Sequence, residues 1–301
     1  MVDISGMVAQ RQSRIVGASL DNHLRTSSHI SKRTANRAVQ VAEKRLGPGG
    51  IFGVLRYDSP KERDPRWDMF VRNLRCDTIN TGNGIYVPEL DVLAIHGQEV
   101  TTLEGCDVLA IGHSPEQTIK HGEPLMKTAL EIREYGAIGI IAAPYHVKGA
   151  GKLFEKRPEL IRNFHGVQVF SGEAEWSVFG SYPHANTRAE DLYKRLRDQN
   201  IGLFRFVGDD GHSIQELGRT YAKINMPSDY MQFENNPQSL VNALLEGYKH
   251  ASLTEEFHTA PAKLGAVWHA IGLATLKCAS KLGLNPNTQT APFLERLGIH
   301  V

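Results

Sequence analysis

Seven short apolar runs divide this 301-residue chain, at 15–20, 51–55, 92–95, 108–111, 138–142, 167–170 and 203–207. Runs this short, rich in Val, Ile and Leu, predict strands rather than buried helices. Stretches with apolar residues at helical spacing lie between several of them: 31–46 after the first, 115–135 before the fifth and 187–200 before the seventh. The first stretch stops at Gly47-Pro48-Gly49-Gly50, and the third opens with a cap at Asn186. Alternating strands and helices imply a mostly parallel sheet with helical crossovers. Seven strands favour closure into a β/α barrel. Beyond Tyr230 the pattern turns helical: Asn236-Pro237 opens a helix to Gly247, and 263–282 predicts another with Leu264, Trp268 and Ile271 on one side. The expected division is a barrel domain over 1–254 and a helical extension over 255–301 packed on it.

Composition narrows the function classes. A net charge of +1 gives no global field toward nucleic acid or membrane. No apolar run approaches the roughly 20 residues that span a bilayer. The polar first dozen residues lack a signal-peptide pattern, so a cytoplasmic location is expected. Cys76, Cys106 and Cys278 are too widely spaced for a CxxC zinc site and odd in number for a disulfide framework.

Two of the strand runs end alike. Residues 15–20 lead into Asp21-Asn22-His23, and 203–207 into Gly208-Asp209-Asp210-Gly211-His212-Ser213. Side chains i and i+2 of an extended segment face the same way. Each strand end would therefore present a carboxylate and an imidazole together, the donor chemistry a divalent cation needs. Two such ends, far apart in sequence, suggest one shared site.

In order along the chain, these motifs resemble those of the PHP (polymerase and histidinol phosphatase) superfamily. Ser19-Leu20-Asp21-Asn22-His23 resembles its leading Asp-Leu-His-x-His, and Gly97-Gln98-Glu99-Val100 its Gly-x-Glu-Val. Gly105-Cys106-Asp107-Val108 looks like the next ligand ahead of a strand, and Ala142-Ala143-Pro144 like an Ala-His-Pro strand end. Asp209-Asp210-Gly211-His212-Ser213, with Glu216-Leu217-Gly218-Arg219 behind it, is similar to the closing signature. The resemblance implies a distorted seven-stranded β/α barrel of PHP type that uses divalent metals to hydrolyse phosphate esters. The departures are Ser19, Asp21, Ala143 and Gln168, each standing where a ligand is usual.

What the resemblance implies for the site follows residue by residue. Asp21, His23, Glu99, Asp107 (or Cys106), Asp210 and His212 would be metal ligands, with Glu99 bridging toward a second ion. One or two ions of Mn²⁺, Fe²⁺, Mg²⁺ or Zn²⁺ fit such a donor set, the carboxylates shifting preference away from Zn²⁺. His212 and Asp107 would be the catalytic groups, and Arg25 and Ser27 would hold the substrate phosphate, with Arg56 and Arg219 as weaker candidates. His146 or Asp58 could replace a missing ligand. The expected function is a metal-dependent phosphoesterase acting on a small phosphomonoester or nucleotide. The alternative is an inactive barrel that binds a phosphorylated ligand, protein or RNA.

Other features read as structural. Lys148-Gly149-Ala150-Gly151-Lys152 lacks the spacing of a P-loop, and no serine sits in a Gly-x-Ser-x-Gly elbow. Arg25, Lys32, Arg33, Arg37, Lys44 and Arg45 spread around one helix without interleaved aromatics, so this run reads as solvated surface. Nucleic acid and membrane are not expected partners; the Trp268 side reads as a packing face, with a homo-oligomer interface as the alternative.

Overall fold

The computed structural model describes residues 12–24, 29–58, 63–146, 149–172 and 184–255. The expected extension over 255–301, and the division into domains with it, lies outside the described residues apart from its first position. So do Arg25, Ser27, Lys148 and Trp268.

All seven expected strands form. They are β1 (Ser13–Ser19), β2 (Gly50–Arg56), β5 (Val92–Thr101), β6 (Asp107–Ile111), β7 (Ile138–Ile141), β8 (Gly166–Ser171) and β9 (Phe204–Gly208). A short hairpin of β3 (Ile79–Asn80) and β4 (Gly84–Val87) turns at Thr81–Asn83, and β4 pairs with β5. Two further strands, β10 (Thr220–Pro227) and β11 (Ser252–Glu255), were not expected. Hydrogen bonding runs in the order β11-β10-β1-β2-β5-β6-β7-β8-β9. The barrel-shaped sheet therefore has nine strands on its path rather than seven.

The sheet is also mixed rather than mostly parallel. β1-β2, β2-β5, β7-β8 and β8-β9 pair in parallel, but β6 runs antiparallel to both neighbours. Only residues 102–106 join β5 to β6, too few for a crossover helix, and a connection that short forces a hairpin. β10 pairs antiparallel with β1 along Ser13–Ala18. Past the last of those pairs, the chain after β9 reaches β1: Asn22 and Gly211 form a single parallel bridge, with His23 N donating to Gly211 O at 2.8 Å.

Helices cover the sheet in groups. α1 (Lys32–Leu46) and α2 (Arg66–Asn73) pack on β2 and β5 through Ala38, Val39, Leu46 and Phe70. Ser31 caps α1, its Oγ accepting from Thr34 N at 3.1 Å, a bond of about 1 kcal/mol. α3 (Leu125–Glu134), α4 (Gly151–Lys156) and α5 (Ala185–Asp198) pack on β7 and β8. α6 (Pro237–Lys249), opened by Asn236-Pro237 as expected and capped by the Asn236 side chain, adds Leu240, Leu244 and Tyr248 to the core that holds Val16, Ile140 and Phe206.

Two helix expectations need correction. The stretch 115–135 is helical only over α3, because Pro115, Gly122 and Pro124 interrupt its first half and its carbonyls serve Arg56 instead. α5 starts after His184, not at an Asn186 cap; the Asn186 side chain bonds Ser171 N and O at 3.0 and 3.2 Å. No helix among the described residues is long and apolar enough to cross a membrane.

Candidate metal centre

β1, β5, β6 and β9 bring the expected residues to one end of the sheet. Asp21, Glu99, Asp107, Asp210 and His146 line a cleft of about 40 Å³ together with Ala143 and Gln168. Two close approaches make this possible. A Cβ on Gly53 would overlap Leu20 O, and one on Gly208 would overlap Asp21 Cβ. Both strands neighbouring the end of β1 thus need glycine for Asp21 to sit where it does.

Coordinating atoms of His23, Asp210 and His212 all lie within 4.8 Å of one another. His23 Nε2 is 3.2 Å from Glu99 Oε2 and 3.9 Å from Asp210 Oδ1, yet it is buried and makes no hydrogen bond. The His23 and His212 rings stack at 4.7 Å. The two Asp-x-His segments reach this geometry differently. Asn22 holds the first extended by its bridge to Gly211, whereas Asp210 adopts a left-handed φ of 51°. That turn, not pleat alternation, lets His212 Nδ1 donate to Asp210 O at 2.9 Å. In the neutral ring this tautomer leaves the lone pair on Nε2.

His23 is held the opposite way. Arg66 Nη1, from α2, lies 3.0 Å from His23 Nδ1 and also donates to Leu55 O at 2.6 Å. A guanidinium can only donate, so His23 Nδ1 accepts and the neutral ring carries its proton on Nε2. Coordination through Nε2 therefore requires Arg66 to leave Nδ1. Nothing in the sequence pointed to Arg66, which comes from a helix that the apolar spacing did not reveal.

The charges are strained toward neutrality. Burial raises the Asp21 carboxyl well above the usual carboxylate range, and the like charges of Asp210 and Glu99 add to the shift. Burial lowers His23 to about 4 with help from Arg66, and lowers His212 to about 4 with help from His23. Both imidazoles are thus neutral at pH 7. Gln168, where the sequence reading saw only a lost ligand, ties the site together. Its Nε2 donates to Asp21 Oδ2 at 2.7 Å and its Oε1 accepts from Ala143 N at 2.8 Å.

Several neighbours are structural. Asp209, raised to about 8 by burial, accepts from Thr220 N at 2.6 Å, Arg219 N at 3.2 Å and Ser19 Oγ at 3.2 Å. Glu216 accepts from His212 N and Ser213 Oγ, both at 2.9 Å. Arg219 meets Glu216 through backbone only, its Nε donating to Gln215 O at 3.3 Å. Arg56 is buried, with its guanidinium given to Pro115 O, Gln117 O, Thr118 Oγ1 and Asp58, so neither Arg56 nor Asp58 serves this site. Cys106 bonds Thr102 in the core, and burial raises its thiol to about 11, which removes it as ligand or nucleophile. Asp107 accepts from Thr101 Oγ1 at the rim of the cleft.

No protein-family model matches the sequence, and no curated protein matches it. Solved structures do. PsfC from Pseudomonas syringae PB-5123 is 14% identical over 88% of this chain and 99% of its own, with a TM-score of 0.57. The lesion-specific endonuclease PfuEndoQ from Pyrococcus furiosus is 14% identical over 80% of this chain and 58% of its own, with a TM-score of 0.51. At these identities the likeness shows the fold alone, a mixed α/β sheet of barrel shape.

Proposed function

We propose that this chain is a metal-dependent phosphoesterase whose cation is held by Asp21, Glu99, Asp210 and His212, and by His23 once Arg66 withdraws. One observation carries the reading. Four carboxylates, Asp21, Glu99, Asp107 and Asp210, line one small cleft, and the charges that act on Asp21 are those of other acids. Such a set is costly when empty and suits a hard divalent ion. The PHP-type fold and the endonuclease activity named for PfuEndoQ support the same class of chemistry.

A bound divalent cation would supply Lewis-acid charge to a phosphoryl oxygen and acidify an attacking water. The protein's own groups would do the rest. His212, neutral at pH 7 and anchored through Nδ1, offers Nε2 as ligand or proton acceptor rather than as acid. Asp107 and the half-buried His146 line the open side, where they can hydrogen-bond the ester or its leaving group. The substrate is a phosphate ester, either a phosphomonoester or a nucleotide.

A screen of phosphate esters with Mn²⁺, Fe²⁺, Mg²⁺ or Zn²⁺ should show turnover that chelation stops and Glu99→Ala reduces by at least about 100-fold. Turnover indifferent to both would refute the reading. The Gln168 bridge favours the rival, a barrel that binds a phosphorylated ligand without catalysis. Protein that takes up no cation on dialysis against Mn²⁺ or Zn²⁺ would establish that rival.

A further inference from the structure

The cations of α1 are mostly exposed, as the sequence suggested, but several of them share one wall. Lys32, Arg33, Arg37 and Arg45 line one wall of a cleft of about 690 Å³, and Arg75 joins them from beyond α2. Asn36 fixes that meeting: its Oδ1 accepts from Arg75 N at 3.0 Å, and its Nδ2 donates to Asn73 O at 2.9 Å. His212 lines this cleft too, and it also belongs to the His23, Asp210 and His212 group of the metal centre.

Among the described residues, five basic side chains line this cleft and no Asp or Glu does. Arg45 is partly engaged by Gln215 O and Leu217 O, at 2.9 and 2.5 Å. Lys32, Arg33, Arg37 and Arg75 make no ion pair among the described residues and are exposed. In a chain of net charge +1, this is a local excess, and it lies near the acidic cleft because His212 of the one groups with Asp210 of the other. Lys32 and Arg45 are thirteen residues apart on α1, about 20 Å along the helix axis. A single phosphate could meet only one or two of these cations, and the others would go on repelling one another. A chain of phosphates at about 3.4 Å per nucleotide would meet them along roughly six positions.

We infer that this cleft binds the sugar-phosphate backbone of a nucleic-acid strand and leads it to the metal centre past His212. The inference deepens the phosphoesterase reading and rests on it for the choice of a nucleic acid over an acidic protein. No Phe, Tyr or Trp lines the cleft among the described residues, so these residues offer phosphate contacts rather than base stacking. Thr34, Asn36 and Gln40 add neutral polar groups suited to phosphate oxygens. Recognition is therefore sequence-independent and salt-dependent.

The test is anisotropy of a fluorescein-labelled, mixed-sequence single-stranded 12-mer with the full chain in EDTA, which separates binding from turnover. Binding should weaken with salt at a log–log slope of about −2 to −3, the value for three or four phosphates neutralised. Arg33→Glu/Arg37→Glu should weaken it at least tenfold and flatten the slope by about 1.4. Lys44→Glu, on the same helix but outside the cleft, should change it less than twofold. No binding at about 50 mM salt, or equal binding by the Arg33/Arg37 variant, overturns the inference. Tighter binding of a multiply phosphorylated peptide overturns it in favour of a protein partner. Binding that holds while every ester goes unhydrolysed keeps the groove and refutes the phosphoesterase reading instead.

Discussion

At the scale of single residues, Arg66 and Asp21 govern what the metal centre can do. Arg66 donates to His23 Nδ1 and so fixes a tautomer that keeps the Nε2 lone pair from a cation. Arg66→Gln removes the fixed donor and supplies an amide oxygen that can accept from Nδ1–H. Cation affinity measured by titration calorimetry should rise by roughly tenfold, the usual size of such outer partners. Unchanged affinity would mean that His23 is not a ligand. Asp21 sets the pH response. Burial and the neighbouring acids favour its protonated form, whereas both imidazoles near 4 carry no proton at neutrality. A cation favours the ionised carboxylate, so uptake should release a proton and affinity should fall as pH falls. Calorimetry in two buffers of different ionisation enthalpy would count the protons; zero release would contradict the assignment of Asp21.

At the scale of elements, the site depends on how closely three strands approach one another. Gly208 faces Asp21 with no room for a methyl group. Gly208→Ala should destabilise the fold by about 1–3 kcal/mol in a denaturant melt and reduce cation uptake more than the loss of folded protein explains. The seven strands that carry the site were legible because each is an apolar run of the right length. β10 was not, because Lys223 and Asn225 alternate outward along it and break the apolar run. α2 was hidden by its brevity, eight residues after Pro65, and Arg66 was hidden with it. Asp-x-His was legible as a pair of strand ends, but the left-handed turn at Asp210 depends on contacts no local pattern encodes. The basic cleft escaped for a similar reason: Arg75 reaches α1 through Asn36, a tertiary contact between segments that read separately as surface.

At the scale of the whole molecule, the acids and imidazoles of the centre come from both sides of the place where the sheet meets itself. β1 supplies Asp21 and His23, the segment after β9 supplies Asp210 and His212, and one bridge between Asn22 and Gly211 joins them. A cation held by both would cross-link the two margins. The thermal midpoint should therefore rise with the concentration of a bound cation, by an amount equivalent to about 2.7 kcal/mol at one hundred times Kd. A midpoint indifferent to every divalent ion tried would mean that none of them binds the folded chain.

Gln168 carries that thought one step further, into the order in which the protein is made. A glutamate there would add another anion to a crowded buried set, and the chain would have to capture its ion in order to close. The amide instead lends Asp21 a hydrogen and takes one from Ala143, so these side chains can settle beside one another unaided. If the proposed cation binds there, assembly and loading would be uncoupled, the amide offsetting part of the cost of the crowded acids until the ion is taken up.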